Sequence, residues 1–355
     1  MKIAILGYGV VGKGVEIEAL ENNIEVKYIL MREGKELSKK TMTTKIDEIL
    51  NSDVDCVVEC MGGDRPAYDY VLAALKNKKH VVSANKKMLV KHFRELVETA
   101  KSEGVSLLFS AACGGGIPWI KELSSIAKAD EAYSYEGIMN GTSNYILDKM
   151  YKEGTDFAVA LKGAQELGYA EADPSDDIDG VDTANKVILS AGVAFNKCFN
   201  LEDVFVKGIR YFNLDDLKYV KDNDYRCVLK GKGIKENDKY HLSVMPTFVK
   251  RSDIFANIND NYNCFRLMSK NLSNLVFIGQ GAGSLPTASN IIRDIKTLDC
   301  PMTVELNEDK KPDYEERKAV YYIRGTADKG YITKPISINE LRSIIKEDDF
   351  VAEVE

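Results

Sequence analysis

The residues best suited to moving a proton in this chain are Asp182 and Lys186, which stand four positions apart. On a helix these positions lie on the same face, so the carboxylate and the ammonium would be neighbours. Apolar residues 187–189 follow, which predicts that this end of the helix enters the core. Burial makes the pKa of a lysine adjustable, as a proton donor requires. The alternative is an acidic helix start that complements the helix dipole, with a surface pair that adds only about 0.3–0.5 kcal/mol.

A second candidate lysine, Lys86, follows directly after a predicted strand at residues 80–84. In parallel sheets ligands bind beyond the carboxyl ends of the strands, so Lys86 would lie near a bound cofactor. Lys87 stands beside it, which favours the alternative that both are charges flanking a helix.

The chain begins with a pattern that is typical of a dinucleotide site. An apolar strand at residues 2–6 precedes Gly7, Gly9 and Gly12, and a helix is predicted from about residue 11 to 20. The glycines allow a tight turn, close approach to a pyrophosphate and close packing of helix on strand. The free N–H groups at the helix start would face the phosphates. A purely structural glycine turn is the alternative.

The position that distinguishes NAD from NADP holds Arg32, 20 residues after Gly12. An acid there binds the ribose 2′-hydroxyl, whereas an arginine accommodates a 2′-phosphate. Arg32 therefore favours NADP, although Glu33 beside it leaves NAD open. A solvated charge at a strand end is the remaining alternative.

The elements that position these residues form two patterns. Strands alternate with helices to about residue 130, which predicts an α/β fold with a Rossmann-type, doubly wound parallel sheet. Residues 131–280 then combine three helical stretches, the last at 176–193, with alternating strands. That pattern predicts a second, α+β domain with a mixed sheet. A glycine loop at 279–289 opens another helix, so residues 281–300 are expected to complete domain 1–130, and 310–355 to form a short tail.

Composition excludes several classes of function. The chain has 355 residues and a net charge of −7, which argues against nucleic acid and anionic membrane surfaces as partners. The seven cysteines are scattered without a C-x-x-C pair, and the three histidines lack metal-ligand spacing. No apolar stretch approaches the ~18 residues of a membrane span. We therefore expect a cytoplasmic protein without zinc.

Several motifs together resemble the homoserine dehydrogenase family, in the family's order over about residues 1–300. They are Gly7-Tyr8-Gly9-Val10-Val11-Gly12, Ser83-Ala84-Asn85-Lys86, Gly114-Gly115-Gly116-Ile117-Pro118, Asn140-Gly141-Thr142-Ser143-Asn144-Tyr145, the block from Ala164 to Lys186, and Gly281-Ala282-Gly283-Ser284-Leu285-Pro286. The resemblance implies interconversion of L-homoserine and L-aspartate 4-semialdehyde by hydride transfer with NAD(P). The family is usually homodimeric through the sheet of its second domain.

The resemblance also implies residue roles. Lys186 acts as general acid and base with Asp182 in support, Lys86 lies between substrate and nicotinamide, and Glu171 and Asp177 bind the substrate amino group. Further substrate-binding positions are Tyr169, Asn140, Gly141 and Thr142. Together with the glycine motif and Arg32, it gives the cofactor-binding positions Gly7, Gly9, Val10, Val11, Gly12, Arg32, Met61, Gly62, Ser83, Lys86, Gly281 and Gly283.

Three departures from the family pattern qualify these expectations. Ser83 replaces the usual threonine and keeps the hydroxyl. Ser110 stands where a glutamate often helps to hold a monovalent cation, so no metal is expected, although the carbonyls of Cys113, Gly115 and Ile117 are retained. The family's C-terminal regulatory ACT domain is reduced to a tail in which only residues 320–324 resemble its first strand.

The departures leave a second functional hypothesis open. The chain could be a non-catalytic NAD(P) sensor, or a paralogue that acts on another amino-acid semialdehyde. Retention of Lys86, Glu171, Asp182 and Lys186 favours the enzyme, since a sensor has no need for all of these groups.

Overall fold

The computed structural model describes residues 1–299, 304–307, 310–326 and 329–355. Cys300, the last residue of the predicted segment 281–300, lies outside the described residues. The chain divides into two compact units, Met1–Ala129 with Gly192–Cys198 and Gln280–Glu308, and Asp130–Ala191 with Phe199–Gly279 and Asp309–Glu355. Among the described residues, no helix combines the length and apolar character that crossing a membrane requires.

The first unit is built on a sheet of six parallel strands, which confirms the predicted Rossmann-type fold. Their order across the sheet is Met42–Thr43, Glu25–Leu30, Lys2–Leu6, Cys56–Glu59, His80–Ser83 and Leu107–Leu108. The order reverses at the strand Lys2–Leu6, which is where such sheets bind ligands. The strand Met42–Thr43 was not predicted, because a two-residue strand shows no periodic pattern.

Helices cover this sheet and bring a late segment of the chain to it. They are Val10–Glu21, Ile46–Leu50, Ala67–Lys76, Lys86–Glu103, the 3-10 turn Ser110–Ala112, Trp119–Ala127 and Ser284–Ile295. A Cβ on Gly14 would lie 2.6 Å from the Oγ of Ser284, and that Oγ donates to the carbonyl of Val10 at 2.8 Å. The first and last of these helices therefore pack closely at their beginnings.

The second unit is built on a mixed sheet of ten strands, as predicted. Eight strands follow the order Ser273–Gln280, Tyr262–Ser269, Ala132–Ile138, Tyr225–Glu236, Lys239–Lys250, Phe350–Val354, Lys318–Arg324 and Tyr331–Ile332. Phe205–Val206 pairs with Lys239–Lys250 and Ile336–Ser337 with Lys318–Arg324. Phe350–Val354 was not predicted; it runs parallel to Lys239–Lys250 and antiparallel to Lys318–Arg324.

The helices of the second part of the chain differ from prediction at two points: Leu214–Asp222 was not predicted, and one predicted helix is divided in two. They are Gly141–Glu153, Phe157–Glu166, Ser175–Ile178, Val181–Phe195, Leu214–Asp222 and Ile338–Ile344, with 3-10 turns at Leu201–Asp203 and Ile254–Asn257. The prediction of one helix over 176–193 was wrong, because Gly180 has φ +86° and separates two helices. As a result, Asp182 lies in the first turn of Val181–Phe195. The hydroxyl of Tyr135 donates to the carbonyl of Val187 at 2.6 Å and ties this helix to the sheet.

Candidate active site

The glycine turn of the first unit has the shape that a dinucleotide pyrophosphate requires. Gly7 has φ +90°, and a Cβ on Gly12 would lie 2.1 Å from the carbonyl oxygen of Gly7. A Cβ on Gly9, by contrast, would meet no atom within 4 Å, so this side of the turn is open. Gly9 also caps the helix Val10–Glu21 without a side-chain hydrogen bond. The N–H groups of the helix start are therefore available to an anion, and the turn fits the pyrophosphate of a dinucleotide.

Two basic side chains, Arg32 and Lys39, follow the strand Glu25–Leu30 and differ in their surroundings. The Nζ of Lys39 lies 2.6 Å from Glu16 and 2.9 Å from the hydroxyl of Tyr8, which itself donates to Glu16. Arg32 is exposed, and its side chain makes no hydrogen bond or ion pair to any described residue. Arg32 is thus available to an incoming group, whereas Lys39 is already engaged.

A buried acid, Glu59, joins the carboxyl ends of the strands Cys56–Glu59 and His80–Ser83. The sequence analysis did not identify it. Glu59 is fully buried and accepts hydrogen bonds from the backbone N of Met61 at 2.8 Å and the Oγ of Ser83 at 2.5 Å. Burial raises the pKa of Glu59 to about 7 against the effect of these donors. Lys86, half-buried, begins the helix that follows Ser83. The available signal was an acid inside an otherwise apolar run, residues 56–61.

The proton-transfer candidates of the second unit lie together and are buried. Lys186 is 7% exposed, and its Nζ lies 2.8 Å from Asp182 and 2.5 Å from the carbonyl oxygen of Met139, to which it donates. The Nδ2 of Asn140 donates to Asp182 at 2.9 Å and to Asp177 at 2.6 Å. The structure therefore places an ammonium, two carboxylates and a carboxamide in one polar cluster.

The loop that carries Asn140 is fixed by local contacts. The Oδ1 of Asn140 accepts from the backbone N of Ser143 at 2.8 Å and caps the helix Gly141–Glu153. A Cβ on Gly141 would lie 2.6 Å from the carbonyl oxygen of Asn261, so glycine is required there. The hydroxyl of Thr142 donates to the carbonyl of Tyr169 at 2.6 Å. Glu171 lies two residues after Tyr169, in the loop between the helices Phe157–Glu166 and Ser175–Ile178. It is exposed, with no side-chain hydrogen bond or ion pair to the part of the chain that the structure describes.

The glycine-rich loop at residues 110–117 is held by two side chains of the helix Ser284–Ile295. Both the backbone N and the Oγ of Ser110 donate to Asp294, at 2.9 and 2.7 Å, and burial raises the pKa of Asp294 to about 6. The Nδ2 of Asn290 donates to the carbonyls of Gly115 at 2.7 Å and Ile117 at 2.9 Å. The point on which these two carbonyls converge is taken by a neutral amide, which does not fit a cation held there.

Two family models match this chain. The family model described as homoserine dehydrogenase matches residues 118–295. The model described as the homoserine dehydrogenase NAD-binding domain matches residues 7–110, which include the glycine turn and Lys86.

Individual relatives cover most of the chain. A homoserine dehydrogenase of Synechocystis is 38% identical over 83% of this chain and 72% of its own length. One of Methanocaldococcus jannaschii is 35% identical over 83% of this chain and 97% of its own length. The crystal structure of a homoserine dehydrogenase from Thiobacillus denitrificans matches with a TM-score of 0.88 and 27% identity, over 100% of this chain and 98% of that one. This chain belongs to the homoserine dehydrogenase family and is an NAD(P)-dependent oxidoreductase of amino-acid biosynthesis that interconverts L-homoserine and L-aspartate 4-semialdehyde.

Proposed function

We propose that Lys186 is the general acid and base of this reaction. The observation that carries the proposal is a buried ammonium placed 2.8 Å from Asp182 and beside the carbonyl of Met139. A bound nicotinamide supplies the hydride when the aldehyde is reduced. Negative charge then develops on the substrate oxygen, and the ammonium of Lys186 stabilises that charge and donates a proton to it. In the reverse direction the amine takes the proton back.

Asp182 and Asn140 are assigned to keeping Lys186 in place. Asp182 balances the charge of the ammonium, and Asn140 fixes that carboxylate through its Nδ2. The substrate amino group is cationic and requires carboxylates, for which Asp177 and Glu171 are suited. Asn140 also holds Asp177, whereas Glu171 is exposed and able to meet the substrate. The backbone at Gly141, Thr142 and Tyr169 completes the proposed substrate site.

The coenzyme is proposed to be NADP in preference to NAD. The glycine turn is assigned to the pyrophosphate, and the exposed guanidinium of Arg32 to the 2′-phosphate, which arginine binds in bidentate fashion. Lys86 is assigned to contact the nicotinamide end and the reacting groups. The remaining proposed coenzyme contacts are Val10, Val11, Met61, Gly62, Ser83, Gly281 and Gly283.

No monovalent cation is proposed to take part. The support is the amide of Asn290, which is bonded to the carbonyls of Gly115 and Ile117. Turnover should agree within about twofold in chloride salts of sodium, potassium and tetramethylammonium at one ionic strength. A severalfold lower rate in tetramethylammonium alone would contradict this.

We also propose a homodimeric state, a cytoplasmic location and the domain limits 1–130 with 281–300, 131–280 and 310–355. The dimer rests on the family resemblance and the location on composition. Light scattering after size exclusion would measure the mass directly, and the mass of a monomer at micromolar concentration would contradict the dimer.

A spectrophotometric assay with aspartate 4-semialdehyde and NADPH tests the proposed roles. Asp182→Asn should lower kcat about 100-fold, because the carboxamide no longer balances the ammonium charge, with coenzyme affinity little changed. Glu166→Gln, an exposed acid on another helix, is the matched control and should behave as the wild type. Equal rates for both variants would remove Asp182 from the mechanism.

A further inference from the structure

We propose that Glu59 is a positioning residue of the coenzyme site, which fixes the backbone amide of Met61 and the hydroxyl of Ser83 where the nicotinamide end binds. The inference rests on the proposed coenzyme site of the first unit. It concerns a side chain that contacts protein groups, and it acts on the coenzyme through Met61 and Ser83.

The surroundings of Glu59 are unusual for a buried acid. Its side chain is fully buried, and no described lysine, arginine or histidine forms a salt bridge with it. The hydrogen bonds it accepts come from neutral donors: Met61 N, Ser83 Oγ and, at 3.4 Å, Asn85 Nδ2. Burying an acid without a cation is costly, and an apolar residue would serve packing better. A perturbed acid at the carboxyl end of a parallel strand is therefore a candidate for function.

The hydrogen bonds of Glu59 join two neighbouring strand ends. Glu59 and Ser83 are the last residues of parallel strands and are partners in register. The Oγ of Ser83 also accepts from the backbone N of Asn85 at 3.1 Å, so its hydrogen is directed to Glu59. Asn85 in turn caps the helix Lys86–Glu103 through Met88 N at 3.2 Å. The carboxylate thereby sets the orientation of Ser83 and the start of the helix that carries Lys86.

The same network holds the loop after the first of these strands. The Nδ2 of Asn85 donates to the carbonyl of Gly63 at 2.7 Å, and Glu59 holds Met61. A Cβ on Gly62 or Gly63 would meet no atom within 4 Å, so open space lies beside this loop. Open space at the carboxyl ends of parallel strands is where a dinucleotide binds. Glu59 therefore fixes Met61 and Ser83, which lie at the two strand ends where the dinucleotide is proposed to bind.

The Kd of NADPH tests this role of Glu59. It is measured from the fluorescence of the coenzyme and needs no turnover. Glu59→Gln keeps the size of the side chain but presents an N–H₂ group to one of the donors. We expect the Kd to rise about tenfold, with a Tm within about 4 °C of the wild type. Glu98→Gln, an exposed acid on a helix of the same unit, is the control and should leave the Kd unchanged. An unchanged Kd in Glu59→Gln overturns the proposal.

A second pair of variants keeps the test decisive if Glu59→Gln does not fold. Ser83→Ala removes the hydroxyl and leaves Glu59 in place, and it should raise the Kd about as much. Ser83→Thr restores a hydroxyl and should bring the Kd back towards the wild-type value. Where Glu59→Gln does fold, the Kd of the double variant Glu59→Gln/Ser83→Ala should rise no further than that of one single variant. Fully additive effects, or a Ser83→Ala variant that binds as the wild type, overturn the proposal while leaving the assignment of Lys186 untouched.

Discussion

Two buried lysines of the second unit, Lys186 and Lys232, have different surroundings. Lys232, on the strand Tyr225–Glu236, is 3% exposed and lies 2.8 Å from Glu353 and 2.5 Å from Glu355, which directly follows the strand Phe350–Val354. Burial by itself would lower its pKa, but the acids outweigh burial and raise it. Lys186 lies in the second turn of the helix Val181–Phe195, beside Asp182 and a backbone carbonyl. A lysine enclosed by acids keeps its proton and supports the fold, whereas the lysine beside one carboxylate and a loop carbonyl is the one that we propose as the proton donor.

The largest effect is expected from Lys186→Ala. Removal of the proton donor should lower kcat about 10³-fold, the range of general acid–base catalysis. The Kd of NADPH should stay within about twofold, because the glycine turn and Arg32 are unaltered. Stopped-flow rates and fluorescence titration measure the two quantities. A loss of coenzyme binding would mean that Lys186 is structural, as Lys232 is.

Lys232→Met is expected to show the opposite pattern. Removing Lys232 leaves Glu353 without its cation and Glu355 with Lys230 alone, which costs about 3–5 kcal/mol of unfolding free energy. The rate per folded molecule should not change. Urea unfolding and active-site-normalised kcat separate the two effects. A fall in kcat comparable with that of Lys186→Ala would erase the distinction between the two lysines.

Acid should weaken the sheet network at Glu355. Burial would raise the pKa of Glu355, but Lys232 and Lys230 outweigh it and lower the pKa to about 2. Because the folded pKa lies below the unfolded value of about 4.3, this stabilisation is present above pH 4.3 and is lost as the pH falls towards 2. Over that pH range the unfolding free energy of the wild type should fall by on the order of 2 kcal/mol more than that of Glu355→Gln. Parallel urea curves for both proteins at every pH would contradict the assignment.

The smallest effect is expected at the coenzyme's ribose. Arg32→Ala should weaken NADPH binding about tenfold, or about 1.4 kcal/mol, since a charge-assisted contact to the 2′-phosphate is lost. NADH lacks that phosphate and should bind Arg32→Ala as it binds the wild type. Titration of both proteins with both coenzymes measures the difference. Equal losses for the two coenzymes would exclude a role at the 2′-phosphate.

The parts of the fold that sequence predicted are those with local signals. The strands of the first unit are short apolar runs between helices with a regular period, so their parallel arrangement followed. The strand Phe350–Val354 was not predicted, because it is a short apolar run that holds one acid and directly follows three acids at 347–349. In the structure Glu353 is paired with Lys232, 121 positions earlier in the chain. Pairing over such a distance leaves no local pattern.

The candidate site divides in the same way. The approach of Asp182 to Lys186 follows from helical spacing and was predictable. The bridge that Asn140 makes to Asp177 and Asp182 was not, because it joins residues 37 and 42 positions apart. Asn290 and Asp294 were missed for the same reason, since their partners lie more than 170 positions away. The sequence therefore identified the proposed proton-transfer pair more readily than the side chains that hold the surrounding loops.

Chemical rescue of Lys186→Ala is the direct test of proton donation by Lys186. Small primary amines such as ethylamine would enter the space left by the side chain and return a protonated nitrogen to the substrate oxygen. We expect the rate of aspartate semialdehyde reduction by the variant to rise with ethylamine concentration, and tetramethylammonium, which has no proton to donate, to have no effect. A variant that binds NADPH normally but whose rate is the same with and without ethylamine would contradict the account, as would a variant that turns over like the wild type.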